Sequence, residues 1–334
     1  MNAYNKNTQN HFKVYFITKS ATVMFDSVNL RITQDDIDGV DFLSEIPCYL
    51  DNVGEHSYNG MLFLTGRLGG LQVSLNQYQV KVKDGSLCKF YLGSNYKTMG
   101  RQDTQKAIEK LSDSLHLPMD KAAVTRLDVA QNFITRHPPD VYFNHLGLLK
   151  YSTRLQEPSG LYYKQTNGRL CFYDKNKEQR NHGEQIPELY KERFVLRYEQ
   201  RYTQRIAKQL NVAEVKAALL YDEAFYIMLL NRWRDSYKDI QKINDVIFNF
   251  KAMKTKKEFS KMGILSLVEQ AGGQMEMITQ INDASKRGEL TKKQAYDLRQ
   301  MVNDACKVRE GLTKKSDAIA ELDRKVSEAV RFYR

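Results

Sequence analysis

The chain has 334 residues, enough to bury a sizeable core and to carry two domains. Its 51 Lys and Arg against 40 Asp and Glu leave a formal charge of +11, which favours an anionic partner such as nucleic acid. Four widely spaced cysteines without a C-x-x-C pair argue against a zinc knuckle or a disulfide framework, and no apolar run is long enough to span a bilayer, so a soluble, unexported, cytoplasmic protein is expected.

Residues up to about Asn10 are Asn-rich and read as a disordered terminus, and His11 to Thr18 alternates and predicts the first strand. The acidic segment Gln34 to Tyr58, interrupted by Gly39, Pro47 and Gly54, predicts loop with a short helix. Gly60 to Leu92 alternates again and predicts hairpin strands with turns at Gly69-Gly70 and Asp84-Gly85. The glycines of TGRLGG fit no P-loop spacing and precede no helix, so a turn is favoured over a phosphate cradle. Gln102 to Leu115 predicts a helix capped at Asp103 or Thr104, with Ala107, Ile108, Leu111 and Leu115 on one face and Pro118 closing it.

Three later segments share one pattern: VTRLDVAQNF (Val124 to Phe133), GRLCFYDKNKE (Gly168 to Glu178) and RFVLRYEQRY (Arg193 to Tyr202). Period-two alternation puts Leu127, Val129 and Phe133, then Leu170 and Phe172, then Phe194, Leu196 and Tyr198 on an apolar face. The opposite face then carries Arg126, Asp128 and Asn132, Arg169, Cys171, Tyr173 and Lys175, and Arg197, Glu199 and Arg201. If the strands share a sheet, Asp128, Tyr173, Lys175 and Glu199 converge. The plainer alternative is the solvated face of an antiparallel sheet with mixed charge. Between the first two strands, VYFNHLGLLK predicts a helix to Lys150, and LYYKQTNGRLCFYDK predicts a hairpin with Asn167-Gly168 in its two-residue turn.

Beyond Glu199 the pattern turns helical: YTQRIAKQLN runs to Asn211, which can cap a second helix with Glu214 at its third position. Val212 to Arg334 is predicted to be helical throughout, with Leu219, Leu220, Ile227, Leu229, Leu230 and Trp233 in one stripe and a basic stretch from Lys251 to Lys257. The last two helices, Lys292 to Glu310 and Lys314 to Phe332, are expected to pair with each other or with a second copy.

The order Arg126-Leu127-Asp128, Tyr173-Asp174-Lys175, Arg197-Tyr198-Glu199 resembles the replication initiators of filamentous phages and small plasmids, the gene II/X family. Gly85 to Leu111 also looks like that family's strand, turn and helix, so the resemblance covers about Phe12 to Leu210. It implies a rolling-circle nickase-like α+β fold, an antiparallel sheet with packed helices, and Tyr173 as the residue that becomes joined to DNA, with Lys175 assisting. Breaking and rejoining DNA without a high-energy cofactor needs a nucleophile that stores the phosphodiester and carboxylates that hold a divalent ion. Asp128 and Glu199 are the ligands so implied, and their hard oxygens suit Mg2+ or Mn2+. Each could instead pair with a neighbouring arginine such as Arg126 or Arg197. The His-hydrophobe-His pair of many rolling-circle initiators is missing: none of His11, His56, His116, His137, His145 or His182 has that spacing. Tyr162, Tyr163, Tyr198 and Tyr202 compete with Tyr173, the last two from the apolar face. Arg126, Arg197, Arg201 and Arg205, with Lys208, are candidates for a phosphate backbone, against the alternative of a solvated face.

The sequence thus predicts a catalytic nicking domain over 1–210 and an all-helical domain over 211–334 for DNA recognition or self-association. The expected function is origin nicking that starts rolling-circle replication of a phage or plasmid. Its partners would be origin DNA, single-stranded or supercoiled, and a host helicase and polymerase, with no membrane. A mobilisation relaxase, or a DNA- or RNA-binding regulator without catalysis, is the alternative.

Overall fold

The computed structural model describes residues 24–97, 99–247, 250, 254–307 and 313–331. The terminal segment to Asn10, the strand expected at His11 to Thr18 and the first part of the basic stretch at Lys251 lie outside these residues. The fold is α+β, as the sequence predicts. Its frame is a ten-stranded antiparallel sheet built from β1 (Met24–Thr33), β2 (Asp51–Tyr58), β3 (Met61–Leu68), β4 (Leu71–Asn76), β5 (Gln79–Lys83), β6 (Ala123–Thr135), β7 (Thr153–Glu157), β8 (Gly160–Gln165), β9 (Gly168–Asp174) and β10 (Phe194–Tyr202). Their spatial order is β2-β3-β4-β5-β1-β6-β10-β9-β8-β7, so β1, β6, β10 and β9 lie at its centre.

One face of these central strands is apolar for the reason the alternation gives: Leu127, Val129, Leu196, Tyr198, Leu170 and Phe172 are buried. Helices cover it. Among them are α3 (Arg101–Leu115), α4 (Pro139–Asn144) and α7 (Glu223–Lys238), together with the last helix described below. Phe172 stacks on Tyr198 with centroids 4.5 Å apart, Tyr198 packs on Trp233 at 4.7 Å, and the Tyr198 hydroxyl donates to the Trp233 carbonyl at 3.0 Å. Phe194, at the start of β10, is exposed rather than buried with them.

Several elements depart from the sequence reading, each for a local reason. β1 is hidden in the sequence because two residues, Asp26 and Ser27, separate the core residues Phe25 and Val28 and break the period of two. β2 is hidden because it is an edge strand with every residue exposed, so it shows no alternation. A four-residue helix, α1 (Phe42–Glu45), precedes it. The run predicted as strand to Leu92 ends in α2 (Leu87–Leu92), where Ser86 accepts from the Lys89 amide and Gly93 closes the helix at φ 75°. α3 is capped by Gly100, whose amide donates to Asp103, rather than by Asp103 or Thr104. The predicted helix to Lys150 stops at Asn144. The β8–β9 turn consists of Thr166 and Asn167, with Gln165 opposite Gly168. Gly168 is instead required within β9: a Cβ there would overlap the Arg201 carbonyl oxygen of β10.

β10 continues to Tyr202, and only α6 (Ile206–Leu210) follows, closed by Asn211 in the left-handed region rather than capping a second helix. Leu219 and Leu220 sit in a 3-10 turn ahead of α7, not in its stripe. Further on come α8 (Lys256–Gln270), α9 (Gln274–Lys286), α10 (Lys292–Cys306) and α11 (Asp317–Arg331), with a two-residue ribbon of β11 (Asp245–Val246) and β12 (Thr313–Lys314). The last two helices do not pair with each other. α10 packs on α8 and α9 in a small apolar cluster, whereas α11 packs on α7, α4 and β6 through Ile319, Leu322 and Val326. The main core therefore contains residues on both sides of position 210.

Gly168→Ala should lower the thermal unfolding temperature, at a cost of about 1–3 kcal/mol for forced repacking between β9 and β10. Gly263→Ala, in α8 with nothing near its Cβ position, should raise stability by about 0.5–1 kcal/mol. Thermal melts of the two variants beside wild type check both signs.

Candidate active site

The polar face of the central strands is assembled by register. Asp128 lies opposite Arg201, Ala130 opposite Glu199, Glu199 opposite Cys171, and Arg197 opposite Tyr173. On the other side of β6, the pairs Phe25–Val129 and Val28–Leu127 leave two residues of β1 facing the single residue Asp128. Such a bulge re-aims a side chain. Here it brings Asp26, which no motif signalled, to the same face.

The result is a row of alternating charges. The Asp26 carboxylate accepts from Arg197 at 2.6 Å, the Arg197 Nε donates to Glu199 at 3.2 Å, and Arg201 donates to Glu199. Arg201 also lies 3.7 Å from Asp128, and Arg126 donates to Asp128 at 2.6 Å. Arg197 is fully buried and is further engaged by the Asn132 side-chain oxygen at 3.0 Å, while Ser86 donates to Asp26 at 2.5 Å. The carboxylates thus pair with arginines, Asp128 with Arg126 and Glu199 with Arg197 and Arg201, as the plainer sequence alternative held. Arg197 is fully buried and engaged by Asp26, Glu199 and Asn132, so it offers no surface to a phosphate backbone. Arg205 is exposed, in left-handed conformation ahead of α6.

Burial pushes the Asp26 and Glu199 carboxyls up most strongly, yet Arg197 together with the Ser86 hydrogen bond and Lys175 at Asp26, and Arg197 together with Arg201 at Glu199, hold both below the usual carboxylate range. Asp128 goes the other way, pushed up to about 6 by burial and by the charge of Glu199 despite Arg126. A carboxyl raised by burial and by a second carboxylate marks a place that gains from added positive charge.

A cavity of about 400 Å3 opens on this row, lined by Asp26, Asp128, Glu199, Arg126, Arg201 and Tyr173 among others. Its far walls are the Gly69-Gly70 turn, Gly85-Ser86, and the Lys89–Glu184 ion pair with Glu178. The turn reading of TGRLGG holds. Tyr173 is 9% exposed, and burial pushes its phenol well above the ordinary tyrosine value while Arg197 beside it pulls back. Gly160, opposite Tyr173 on β8, makes the room: a Cβ there would stand 2.9 Å from the Tyr173 Cβ.

Lys175 is not one alternation further along the strand. β9 ends at Asp174, which caps α5 (Lys175–Asn181), and Lys175 is the first residue of that helix. It is fully buried, bound to Glu178 at 2.6 Å and lying over the Tyr96 ring at 5.7 Å. Its link to the cavity runs through Glu178. Of the competing tyrosines, Tyr163, Tyr198 and Tyr202 are core residues, whereas Tyr162 shares the polar face with Cys171. Among the described residues no cluster of three or more His, Cys, Asp or Glu could hold a metal ion.

Residues 24–222 match the family model for the N-terminal region of the phage gene II replication-associated protein. The chain belongs to this phage replication-initiator family. The initiator carries all three motif strands and β1 within the matched span, and the match ends where α7 begins. No curated protein matches the chain. As a member of this family it is a rolling-circle replication initiator. No described helix of the initiator is long and apolar enough to cross a membrane.

Arg197→Met should destabilise the initiator by about 3–5 kcal/mol in urea unfolding, because it leaves Asp26 and Glu199 buried without their shared counter-ion. Arg205→Ala, at an exposed position, should stay within about 0.5 kcal/mol of wild type.

Proposed function

We propose that the initiator cuts one strand of origin DNA with Tyr173. The phenol oxygen bonds to phosphorus, the bond from phosphorus to the 3′ oxygen breaks, the phenol proton is lost and the 3′ oxygen takes one up. The chain is left joined to a 5′ phosphate, and the free 3′ hydroxyl can prime a host polymerase, with a host helicase opening the duplex. The observation that carries this reading is a single cavity shared by Tyr173, Asp128 and Glu199.

Arg197 stands where it can stabilise a phenolate, which matters because burial makes that phenolate costly. Arg126 and Arg201, 27% and 20% exposed in their side chains, stand beside Asp128 where they can meet scissile-strand phosphates. Lys175 acts as a positioning residue by holding Glu178 at the wall. Asp128 and Glu199 fit a divalent ion of the Mg2+ or Mn2+ kind: both are oxygen donors, they repel one another, and Arg201 already spans them as a counter-charge. Bound there, such an ion supplies Lewis-acid polarisation of a phosphate oxygen. Arg205 and Lys208 extend the basic surface toward flanking DNA. The region beyond 210, with the separate α8–α10 cluster, is proposed for origin recognition or self-association. The same chemistry would serve a mobilisation relaxase, but the family match favours replication.

Nicking of supercoiled origin DNA with Mg2+ or Mn2+ should leave a protease-sensitive adduct on the 5′ end, mapping to Tyr173. Tyr173→Phe should abolish it with the fold intact, and Asp128→Ala and Glu199→Ala should each lose nicking but keep origin binding. An adduct on Tyr162 would move the nucleophile; no adduct under any metal condition would favour a binding protein without catalysis.

The ionised form of Asp128 is the one that holds a cation, so nicking should rise as pH increases through about 6. The raised carboxyl also makes metal-free folding more favourable below its unfolded value than above about 6. Asp128→Asn should therefore gain stability relative to wild type above that pH, measured by urea unfolding at pH 5 and 8 without metal.

A further inference from the structure

We propose that a single DNA strand crosses the polar face of the sheet on a row of cations, one from each of six neighbouring strands: Lys81, Arg31, Arg126, Arg201, Arg169 and Lys164. They stand on β5, β1, β6, β10, β9 and β8, which are consecutive in the sheet. Register sets the row. Lys81 lies opposite Arg31, Arg201 opposite Arg169, and Arg169 opposite Lys164. Arg126 lies opposite Asn29, two residues from Arg31, and Arg201 lies opposite Asp128, two residues from Arg126.

Like charges directly opposite one another on neighbouring strands destabilise a sheet. Three such pairs stand in one row, and in two of them, Lys81–Arg31 and Arg169–Lys164, no carboxylate among the described residues offsets the repulsion; a polyanion laid across them removes it. Lys81, Arg31 and Lys164 are exposed and Arg169 is half-buried, and none of the four has a carboxylate partner among the described residues. Arg126 and Arg201 do have carboxylate partners, and they mark where the row passes the cavity. The five steps from β5 to β8, each about 4.8 Å, make a path of roughly 24 Å. At the duplex rise of about 3.4 Å that would be about seven nucleotides, and an unpaired strand, which extends beyond that rise, spans the path with fewer.

The occupant is single-stranded rather than duplex because of where the row leads. On β9, Arg169, Cys171 and Tyr173 share a face, so the row runs two alternations from a phenol that is 9% exposed inside a cavity of about 400 Å3. A duplex is too wide to lower a phosphate into that space, whereas an unpaired strand can turn into it. The path deepens the nicking reading and rests on it for this last step.

The test is binding of a labelled oligo-dT of about twelve nucleotides, followed by fluorescence anisotropy over a series of salt concentrations without metal. Two double variants, K81Q with R31Q and R169Q with K164Q, each remove two cations. Each should weaken binding at least tenfold at low salt and should flatten the slope of log affinity against log salt by about 1.4, at about 0.7 for each phosphate left without its cation. Each should melt no lower than wild type, since like-charge repulsion is relieved. A control pair on α11, R324Q with K325Q, should leave the slope unchanged. Wild-type slopes in both variants would overturn the path even if Tyr173 is mapped as the nucleophile, and so would tighter binding to a matched duplex than to the single strand. A flattened slope without any Tyr173 adduct would keep the path and count against nicking.

Discussion

A row of alternating charge, Asp26–Arg197–Glu199–Arg201–Asp128–Arg126, buried except at Arg201 and Arg126, ties β1, β10 and β6 together and sets the terms for everything around it. Charges taken out of water are costly unless each is paired and hydrogen-bonded. Arg197 meets that condition with Asp26, Glu199 and Asn132, which is why a guanidinium can be fully buried in the middle of a sheet. Well-packed apolar residues of similar volume are often as stable as a buried ion pair. Such a row is more readily understood as machinery, because it holds two carboxylates and a phenol at fixed positions beside a cavity while keeping the local charge near balance.

The site depends on an irregularity as much as on regular strands. Alternation alone brings Asp128, Glu199 and Tyr173 to one face, and this much is legible in the sequence because each strand carries its apolar partners on the other face. Asp26 is not legible, since the bulge that delivers it also breaks the period by which β1 would be recognised. Lys175 fails for the opposite reason: alternation runs past the end of β9, and Asp174 stops the strand by capping a helix. The true neighbour of Tyr173 is Arg197, visible only once β9 and β10 are paired. Long-range pairing, unlike periodicity, leaves no trace in one strand's sequence.

The same limit explains the C-terminal region. Helical periodicity identifies α7, α10 and α11 but does not say what each apolar stripe meets. α11 returns across the chain to pack on α7, α4 and β6, and Glu321 accepts from the Tyr142 hydroxyl at 2.6 Å, a buried hydrogen bond spanning 179 residues. Sequence proximity suggested α10 as its neighbour. α8, α9 and α10 instead enclose their own small core.

Glycines complete the argument, since they mark where strands and turns crowd the site. Gly160 and Gly168 have no room for a side chain beside β9 and β10, and Gly85 has none beside the backbone of Gly70. The first two let β9 sit tight between its neighbours with Tyr173 facing the cavity; the third draws the Gly69-Gly70 turn against the start of α2, closing the cavity's far side. The tyrosine is therefore held on a strand pinned on both flanks, opposite a buried arginine and across from a backbone wall. Rigid placement of this kind is what the proposed in-line attack on phosphorus needs, because the reacting atoms must meet within a fraction of an ångström of the productive geometry.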